Sequence, residues 1–261
     1  MANIGDMATT STVDGERRRE LLVEIVNRDG RVLIDEAASE LGVSAMTVRR
    51  DLADLESGGL VRRVRGGAVA SLRPRSFEER MASDAQAKAT IAAKASRLVP
   101  VGGAIAVDAS STSGVLLSQL DGDPATERII ATNSHENFQF ARRTPGSRAV
   151  LIGGEAEERT DSFVGLLACR AAASLHYSHY FTSAAAADAS SGTSEVTLAE
   201  AQVKLAFADA ADATVLLVDS SKLGQRALVS ALDWDRLALM VTELDPRDST
   251  LDPYRAFVDL L

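Results

Sequence analysis

The chain is poor in reactive and metal-binding side chains. Cys169 is its only cysteine, which excludes an intrachain disulfide and fits a reducing, cytoplasmic compartment. A single thiol in that setting is read as a small packing residue rather than a nucleophile. His135, His176 and His179 are the only histidines. No cysteine or carboxylate accompanies them at metal-ligand spacing, so no metal site is expected. Aromatics make up 4% of the 261 residues, and none falls in the basic stretch described below. A stacking platform for single strands is therefore disfavoured, and Trp234 is read as a packing residue. No apolar run approaches the roughly 18 residues that a membrane-spanning helix needs. The first 19 residues, MANIGDMATTSTVDGERRR, lack the apolar core of a secretory signal, and residues 1–15 are expected to be a disordered leader. There is neither a complete P-loop nor a Gly-x-Gly-x-x-Gly, so no nucleotide or other cofactor is implied.

What is present is an ordinary globular composition, 46% apolar and 25% charged, with length for one small and one larger domain. The net charge is −9, which argues against coating nucleic acid over the whole surface. Its distribution is uneven. Residues 41–75 hold seven arginines against Asp51, Asp54 and Glu56, while residues 76–261 hold 16 basic and 25 acidic residues. An acidic body with a compact basic patch is the charge footprint of a site-specific nucleic-acid binder.

The basic patch has internal order. Ser44 suits an N-cap, and Val48, Leu52 and Leu55 follow at helical spacing, so one stripe faces a core. Met46, Arg50 and Ala53 then point away from it, with Thr47 and Arg49 on the flanks. Gly58-Gly59 is a helix stop. Leu60–Val64 alternates enough for a strand, and Arg65-Gly66-Gly67 makes a turn, so that Arg62, Arg63 and Arg65 decorate a short hairpin. Such a helix fits the DNA major groove, with the hairpin reaching phosphates or the minor groove. The competing reading is a solvated helix whose arginines pair with Asp51, Asp54 and Glu56. Upstream, Glu16–Arg28 reads as a helix with Leu22, Ile25 and Val26 inward. Val32-Leu33 is extended, Asp35–Leu41 is a helix capped by Asp35, and Gly42-Val43 is a turn. Helix, helix, glycine turn, helix, hairpin is the order of a winged helix-turn-helix, here spanning residues 16–70. This context favours the DNA reading.

Residues 71–82, including Pro74, are assigned to a linker, and residues 83–261 to an effector-binding and oligomerisation domain. Glu78–Leu98 reads as helical. Six apolar runs follow: Ala104–Val107, Arg128–Ala131, Ala149–Ile152, Tyr177–Phe181, Thr214–Val218 and Leu237–Val241. Helical stretches at Ser110–Leu120, His135–Arg143, Phe163–Leu175 and Leu198–Ala210 separate several of them. That alternation predicts an α/β domain with a mostly parallel sheet. Ligands of such sheets bind outside the carboxyl ends of the strands. Those ends carry Asp108-Ala109-Ser110-Ser111-Thr112-Ser113, Thr132-Asn133-Ser134, Gly153-Gly154 and Asp219-Ser220-Ser221-Lys222. Hydroxyls and free amides at helix starts suit a phosphate, and Lys204 and Lys222 would supply positive charge. Each loop taken singly is equally a helix cap. Four on one rim favour a polyhydroxylated, phosphorylated small molecule.

Taken together these residues resemble the DeoR family of bacterial transcriptional regulators, often repressors of carbohydrate genes, over about residues 16–245. The resemblance rests on Val43–Leu52, Leu55, Gly59-Leu60, Arg62 or Arg63, and Gly66-Gly67-Ala68. In the second domain it rests on Asp108 with its hydroxyl cluster, Thr132-Asn133-Ser134, Gly153-Gly154, Glu200 with Lys204, and Asp219–Gly224. It implies a winged helix-turn-helix followed by an α/β effector domain similar to ribose-5-phosphate isomerase. Carried over by position, Ser44, Met46, Thr47, Arg49, Arg50, Arg62, Arg63 and Arg65 form the DNA-binding set. Asp108, Ser110, Ser111, Thr112, Thr132, Asn133, Gly153, Lys204 and Lys222 would line the effector site. The sequence departs from the family's pattern at Arg65, where histidine is usual, and at Thr197, where asparagine is often found. It departs most at Ser183–Asp188, SAAAAD, which lacks the usual acid near Ala185 and glycine near Ala186.

The expected function is a non-enzymatic, sequence-specific regulator, a repressor controlled by a sugar phosphate, binding double-stranded operator DNA as a homodimer or homotetramer without membrane association. The alternative is a sugar-phosphate isomerase with an accessory DNA-binding domain, using Asp108 or Glu200 beside Lys204 for proton transfer.

Overall fold

The computed structural model describes residues 15–23, 25–26, 31–57, 60–70, 76–120, 127–158 and 160–261. The chain divides into two compact units, Met1–Arg73 and Pro74–Leu261.

In the N-terminal unit, residues 15–23 and 25–26 are helical (α1). Strand β1 (Arg31–Leu33), α2 (Ile34–Glu40), α3 (Ala45–Ser57), β2 (Val61–Val64) and β3 (Gly67–Ala70) follow. The strands form an antiparallel sheet in the order β1-β3-β2. Its core is the expected set: Leu22 and Val26 from α1, Ala37 from α2, and Val48, Leu52 and Leu55 from α3, closed by Val32, Val61 and Ala68. Each large aliphatic buried here contributes about 1.5–3 kcal/mol. Gly67 permits the sheet to close, because a Cβ there would lie 1.9 Å from the Val32 carbonyl oxygen. The hairpin turn is Arg65-Gly66, with Gly66 at φ +86°, a conformation that glycine adopts without strain. Gly67, assigned to the turn from sequence, instead begins the return strand. Asp35 is not the cap of α2. Leu33 holds that position with no side-chain cap bond, and Asp35 sits in the first turn. Gly15, assigned to the leader, instead opens α1; residues 1–14 of the leader, the end of α1 and the Gly58-Gly59 stop lie outside the described residues.

The C-terminal unit is built on a seven-stranded sheet in which every pairing is parallel. It comprises β4 (Gly103–Val107), β5 (Arg128–Thr132), β6 (Ser147–Leu151), β9 (Tyr177–Thr182), β12 (Ala211–Leu217), β14 (Leu239–Val241) and β15 (Asp259–Leu260). Their spatial order is β15-β14-β12-β9-β4-β5-β6. Alternation along the strands divides the core. Ile105, Val107, Phe181, Val215 and Leu217 pack with helices α5 (Ala85–Ala95), α6 (Ser111–Ser118) and α7 (His135–Arg143). Ala106, Ala131 and Tyr180 pack with α8 (Gly165–Ala173) and α9 (Leu198–Asp209). From β4 the chain winds outward through β5 and β6, then returns to β4's other side with β9 and continues to β15. The reversal puts a topological switch point between β4 and β9, where open α/β sheets bind ligands.

Several expectations shift. Residues 77–82, assigned to the linker, form helix α4 (Phe77–Ala82), fixed by a Ser76/Glu79 capping box and the buried Phe77. Arg80 of α4 donates to the Ala109 and Thr160 carbonyls, each at 2.9 Å. The single helix expected over Glu78–Leu98 breaks at Asp84, which has φ +51°. Phe163 and Val164 belong not to a helix but to strand β8 (Ser162–Val164), paired with β7 (Glu155–Glu157). A second small sheet joins β10 (Ala186–Asp188), β11 (Gly192–Glu195) and β13 (Val229–Ser230). Cys169 packs against the α8–α9 core, and burial raises its thiol pKa. Trp234 is buried, donating to the Asp188 and Ala189 carbonyls. Among the described residues no group of histidines, cysteines and carboxylates is placed to hold a metal, and no helix is long and apolar enough to cross a membrane.

Candidate functional site

Helix α3 begins as its sequence dictates. Ser44 Oγ accepts the Thr47 backbone N–H at 3.1 Å and shares a 2.9 Å hydrogen bond with the Thr47 hydroxyl. Its outward face carries Met46, 69% exposed, with Arg49 and Arg50 exposed beside it. The nearby acids are engaged elsewhere. Asp51 is buried under α1, taking the Arg18 guanidinium at 2.6 and 3.2 Å. Asp54 faces Arg19 at 3.8 Å. Glu56 binds the Arg63 backbone N–H at 2.9 Å and its Nε at 2.6 Å; these bonds, the backbone one foremost, lower the Glu56 pKa. Among the described residues, no ion pair engages Arg49, Arg50, Arg62 or Arg65. The self-paired helix considered from sequence is thus not what forms; of the hairpin arginines, only Arg63 is tied back.

The second cluster lies at the switch point. Asp108 follows β4 and is 1% exposed. Its Oδ1 accepts the Ser110 N–H at 3.1 Å and the Ser113 hydroxyl at 2.7 Å. Its Oδ2 accepts the Thr182 hydroxyl at 3.0 Å, the Ser183 N–H at 2.8 Å and Lys204 Nζ at 2.8 Å. Burial alone would raise its pKa; the Lys204 ammonium and these donors outweigh it and hold the carboxyl at about 2. Lys204, reaching in from α9, also donates to the Ser183 carbonyl at 2.6 Å and stands 2.8 Å from Glu195 Oε1. Burial pushes Glu195, at the end of β11, up to about 7, against the pull of Lys204. Glu200, in the first turn of α9, accepts the Ser162 hydroxyl at 3.5 Å.

Asp108, Ser110 and Lys204 are therefore brought into one network. Ser111 and Thr112 sit buried in the first turn of α6, whose N-cap is Ser110. Thr132 turns its hydroxyl to the Ser134 N–H. Asn133 donates from Nδ2 to the Phe163 carbonyl, leaving its buried Oδ1 without a partner. Gly153 is exposed with open space where a Cβ would stand. Lys222 lies in a turn after β12, with no bond to the Asp108 network. Lys204 does not offer the free charge expected of it, because two carboxylates already share it. Sequence reading missed Thr182, Ser183 and Glu195. The first two are visible as the hydroxyls that end the β9 run. Glu195 had no signal, since β11 is not an apolar run. In Ser183–Asp188 the Ala184, Ala186 and Ala187 methyls are buried packing, and the carboxylate at this end of the ladder comes from β11.

A unit bearing a basic helix and a unit built on a parallel sheet are the two halves that the sequence comparisons also recover. Residues 18–72 match the DeoR-like helix-turn-helix domain, and residues 83–244 the DeoR C-terminal sensor domain. The chain belongs to the DeoR family. Its relatives include the lactose phosphotransferase system repressor of Streptococcus mutans, 30% identical over 89% of this chain and 94% of that protein. The L-fucose operon activator of Haemophilus influenzae is 30% identical over 84% and 88%. Among solved structures, ribose 5-phosphate isomerase A from Methanocaldococcus jannaschii is similar over 54% of this chain and 55% of its own, at 18% identity and a TM-score of 0.38. As a DeoR-family protein the chain is a DNA-binding transcriptional regulator with a sensor domain for a small-molecule effector. The isomerase alternative gives way, since the matched relatives are named as regulators over nearly their whole length. Asp108, neutralised and held by five donors, is also a poor general base.

Proposed function

We propose that this regulator is a cytoplasmic repressor of carbohydrate genes whose operator affinity is set by a phosphorylated sugar or a related metabolite. The observation that carries the DNA half is the charge state of α3. Arg49 and Arg50 remain exposed and unpaired although three acids lie within a turn or two. Arg50 is assigned to base readout, because arginine can bridge guanine O6 and N7. Met46 suits a thymine methyl, and Thr47, Arg49, Arg62 and Arg65 suit phosphates. Ser44 acts through the helix start. A homodimer or homotetramer would present two such helices to half-sites about 34 Å apart, or at multiples of that distance.

The sensor half rests on the carboxyl rim of the sheet. Ser110–Thr112, Asn133 and Gly153 lie there, with Lys222 as the cation not already shared by carboxylates. An effector alters DNA affinity only by favouring one arrangement of the molecule over another. The test is a titration of the full chain against labelled DNA from upstream of its own operon, with and without a panel of sugar phosphates. Specific binding changed by one compound supports the reading. Binding that is weak, salt-sensitive and indifferent to sequence overturns it, since phosphate contacts alone behave so.

A further inference from the structure

The polar cluster at the switch point is uneven in how well its groups are satisfied. Asp108 is saturated by five donors. Two of the three Lys204 protons are committed to Asp108 and the Ser183 carbonyl. Glu195 differs. Its side chain is 6% exposed, yet no hydroxyl or amide donates to it. The Lys204 ammonium, 2.8 Å from Oε1, is the one cation that meets this carboxylate among the described residues, and a carboxylate has room for further donors. Buried carboxylates in folded proteins are ordinarily met by two or more donors. A buried acceptor, Asn133 Oδ1, is unpartnered on the same rim, joined to Glu200 through the Phe163–Ser162 backbone and the Ser162 hydroxyl. The spare capacity of Glu195 and the unpartnered Asn133 Oδ1 call for the same chemistry, a donor.

The backbone explains why Glu195 stands at the switch point. In the β10–β11 ladder, Ala186 pairs with Ser194 and Ala187 with Thr193. Ala185 and Glu195 close that ladder at the end nearest Ser183, whose amide and carbonyl bind Asp108 and Lys204. Nothing on the Ala185 side supplies a polar partner. Two carboxylates, Asp108 and Glu195, share one ammonium, and Glu200 adds a third negative charge close to Glu195, so this end of the cluster repels an anion.

We infer that Glu195 is the specificity-determining residue of the effector site, its carboxylate accepting a hydrogen bond from a hydroxyl or ammonium group on the sugar, with the phosphate held away from this end. The inference rests on the sugar-phosphate reading above. It requires that the effector carry a donor which a deoxy analogue lacks.

The test uses the full chain and its Glu195→Gln and Glu195→Ala variants. Binding is measured by calorimetry and by the shift in melting temperature, with ribose 5-phosphate, glucose 6-phosphate, fructose 6-phosphate and glucosamine 6-phosphate, and with the singly deoxygenated counterparts of each. Wild type is expected to favour at least one hydroxyl- or amino-bearing probe over its deoxy partner by tenfold or more. In Glu195→Ala, which removes the acceptor, that ratio should fall to within about threefold, with Glu195→Gln, which keeps a neutral acceptor, in between, while the unliganded protein still melts cooperatively. An amino probe ahead of its hydroxyl partner would identify the donor as ammonium, and the reverse as hydroxyl; either supports the assignment. A preference that survives in both variants, or wild type that binds these probes without preference, overturns it. If no probe binds wild type or variant, the sugar-phosphate reading itself fails, which is a different result from the loss of Glu195's role.

Discussion

The two units treat charge in opposite ways. On α3, Arg49 and Arg50 are exposed and lack partners, because the acids beside them face Arg18, Arg19 and Arg63. Around Asp108 the carboxylates are buried, and Lys204, only 12% exposed, is shared between two acids. An unpaired surface charge adds little to stability but remains available to a phosphate or base edge. A buried charge is tolerated only when it is neutralised, and removing its partner is severe. The first pattern leaves a surface open to another molecule; the second builds a rigid frame at the switch point.

The contrast can be broken most forcefully at Lys204. Lys204→Met leaves Asp108 and Glu195 buried without their ammonium and should destabilise the protein by about 3–5 kcal/mol, read from urea unfolding. Arg50→Met should stay within about 0.5 kcal/mol of wild type; equal losses would erase the distinction. Next is Gly67→Ala. A methyl 1.9 Å from the Val32 carbonyl oxygen and 3.0 Å from its carbon must separate β1 from β3. A loss of about 3 kcal/mol is expected in the melting of the N-terminal unit, with operator binding lost alongside it.

Titration sharpens the buried side of the comparison. Glu195 lies at about 7, above its ordinary 4.5, so the folded state holds that proton more tightly than the unfolded one. Its contribution is therefore fully present below about pH 4.5 and is lost as pH rises towards 7. Asp108, at about 2, works the other way, its contribution present above about pH 4 and lost as pH falls towards 2. Glu195→Gln should remove a decline of about 1–3 kcal/mol between pH 4.5 and 7.5, visible as unfolding midpoints that no longer move with pH. On the exposed side, Arg50→Ala should weaken operator binding by about 1–3 kcal/mol and relax one position of the site. The smallest effect belongs to Arg63→Ala, under about 1 kcal/mol on any DNA, because wild-type Arg63 must first leave Glu56. Gel-shift titrations on operator and scrambled duplexes separate the two.

Much of this was legible in the sequence where one residue's neighbours along the chain decide its role. The Val48–Leu52–Leu55 stripe, the Ser44, Ser110 and Ser134 caps and the apolar runs of β4, β5 and β12 follow from local periodicity and capping. Most of α4 falls within the helix expected over Glu78–Leu98; its start was equally visible, in Ser76 and Glu79, but Pro74 drew residues 71–82 into the linker. What could not be read is held by pairing between distant segments. Strands β7, β8, β10 and β11 are short and built of small or polar residues, so no alternation marks them. Lys204 and Asp108 are 96 residues apart, and no spacing rule says that Lys204 will be spent on a carboxylate rather than left for a ligand. Glu195 depends on both a short ladder and that ion pair, and so emerged only in three dimensions.

Arg80 acts as a caliper. Its two terminal nitrogens hold the Ala109 carbonyl, beside the Asp108 keystone, and the Thr160 carbonyl, whose own hydroxyl meets Ser162. A guanidinium is planar and of fixed width, so the jaws cannot part by more than a fraction of a bond length before one grip is lost. The arm of the caliper is α4, the first helix after the boundary between the units. Any widening or narrowing of the gap between those two loops is thus measured at the very point where the chain enters its sensor half.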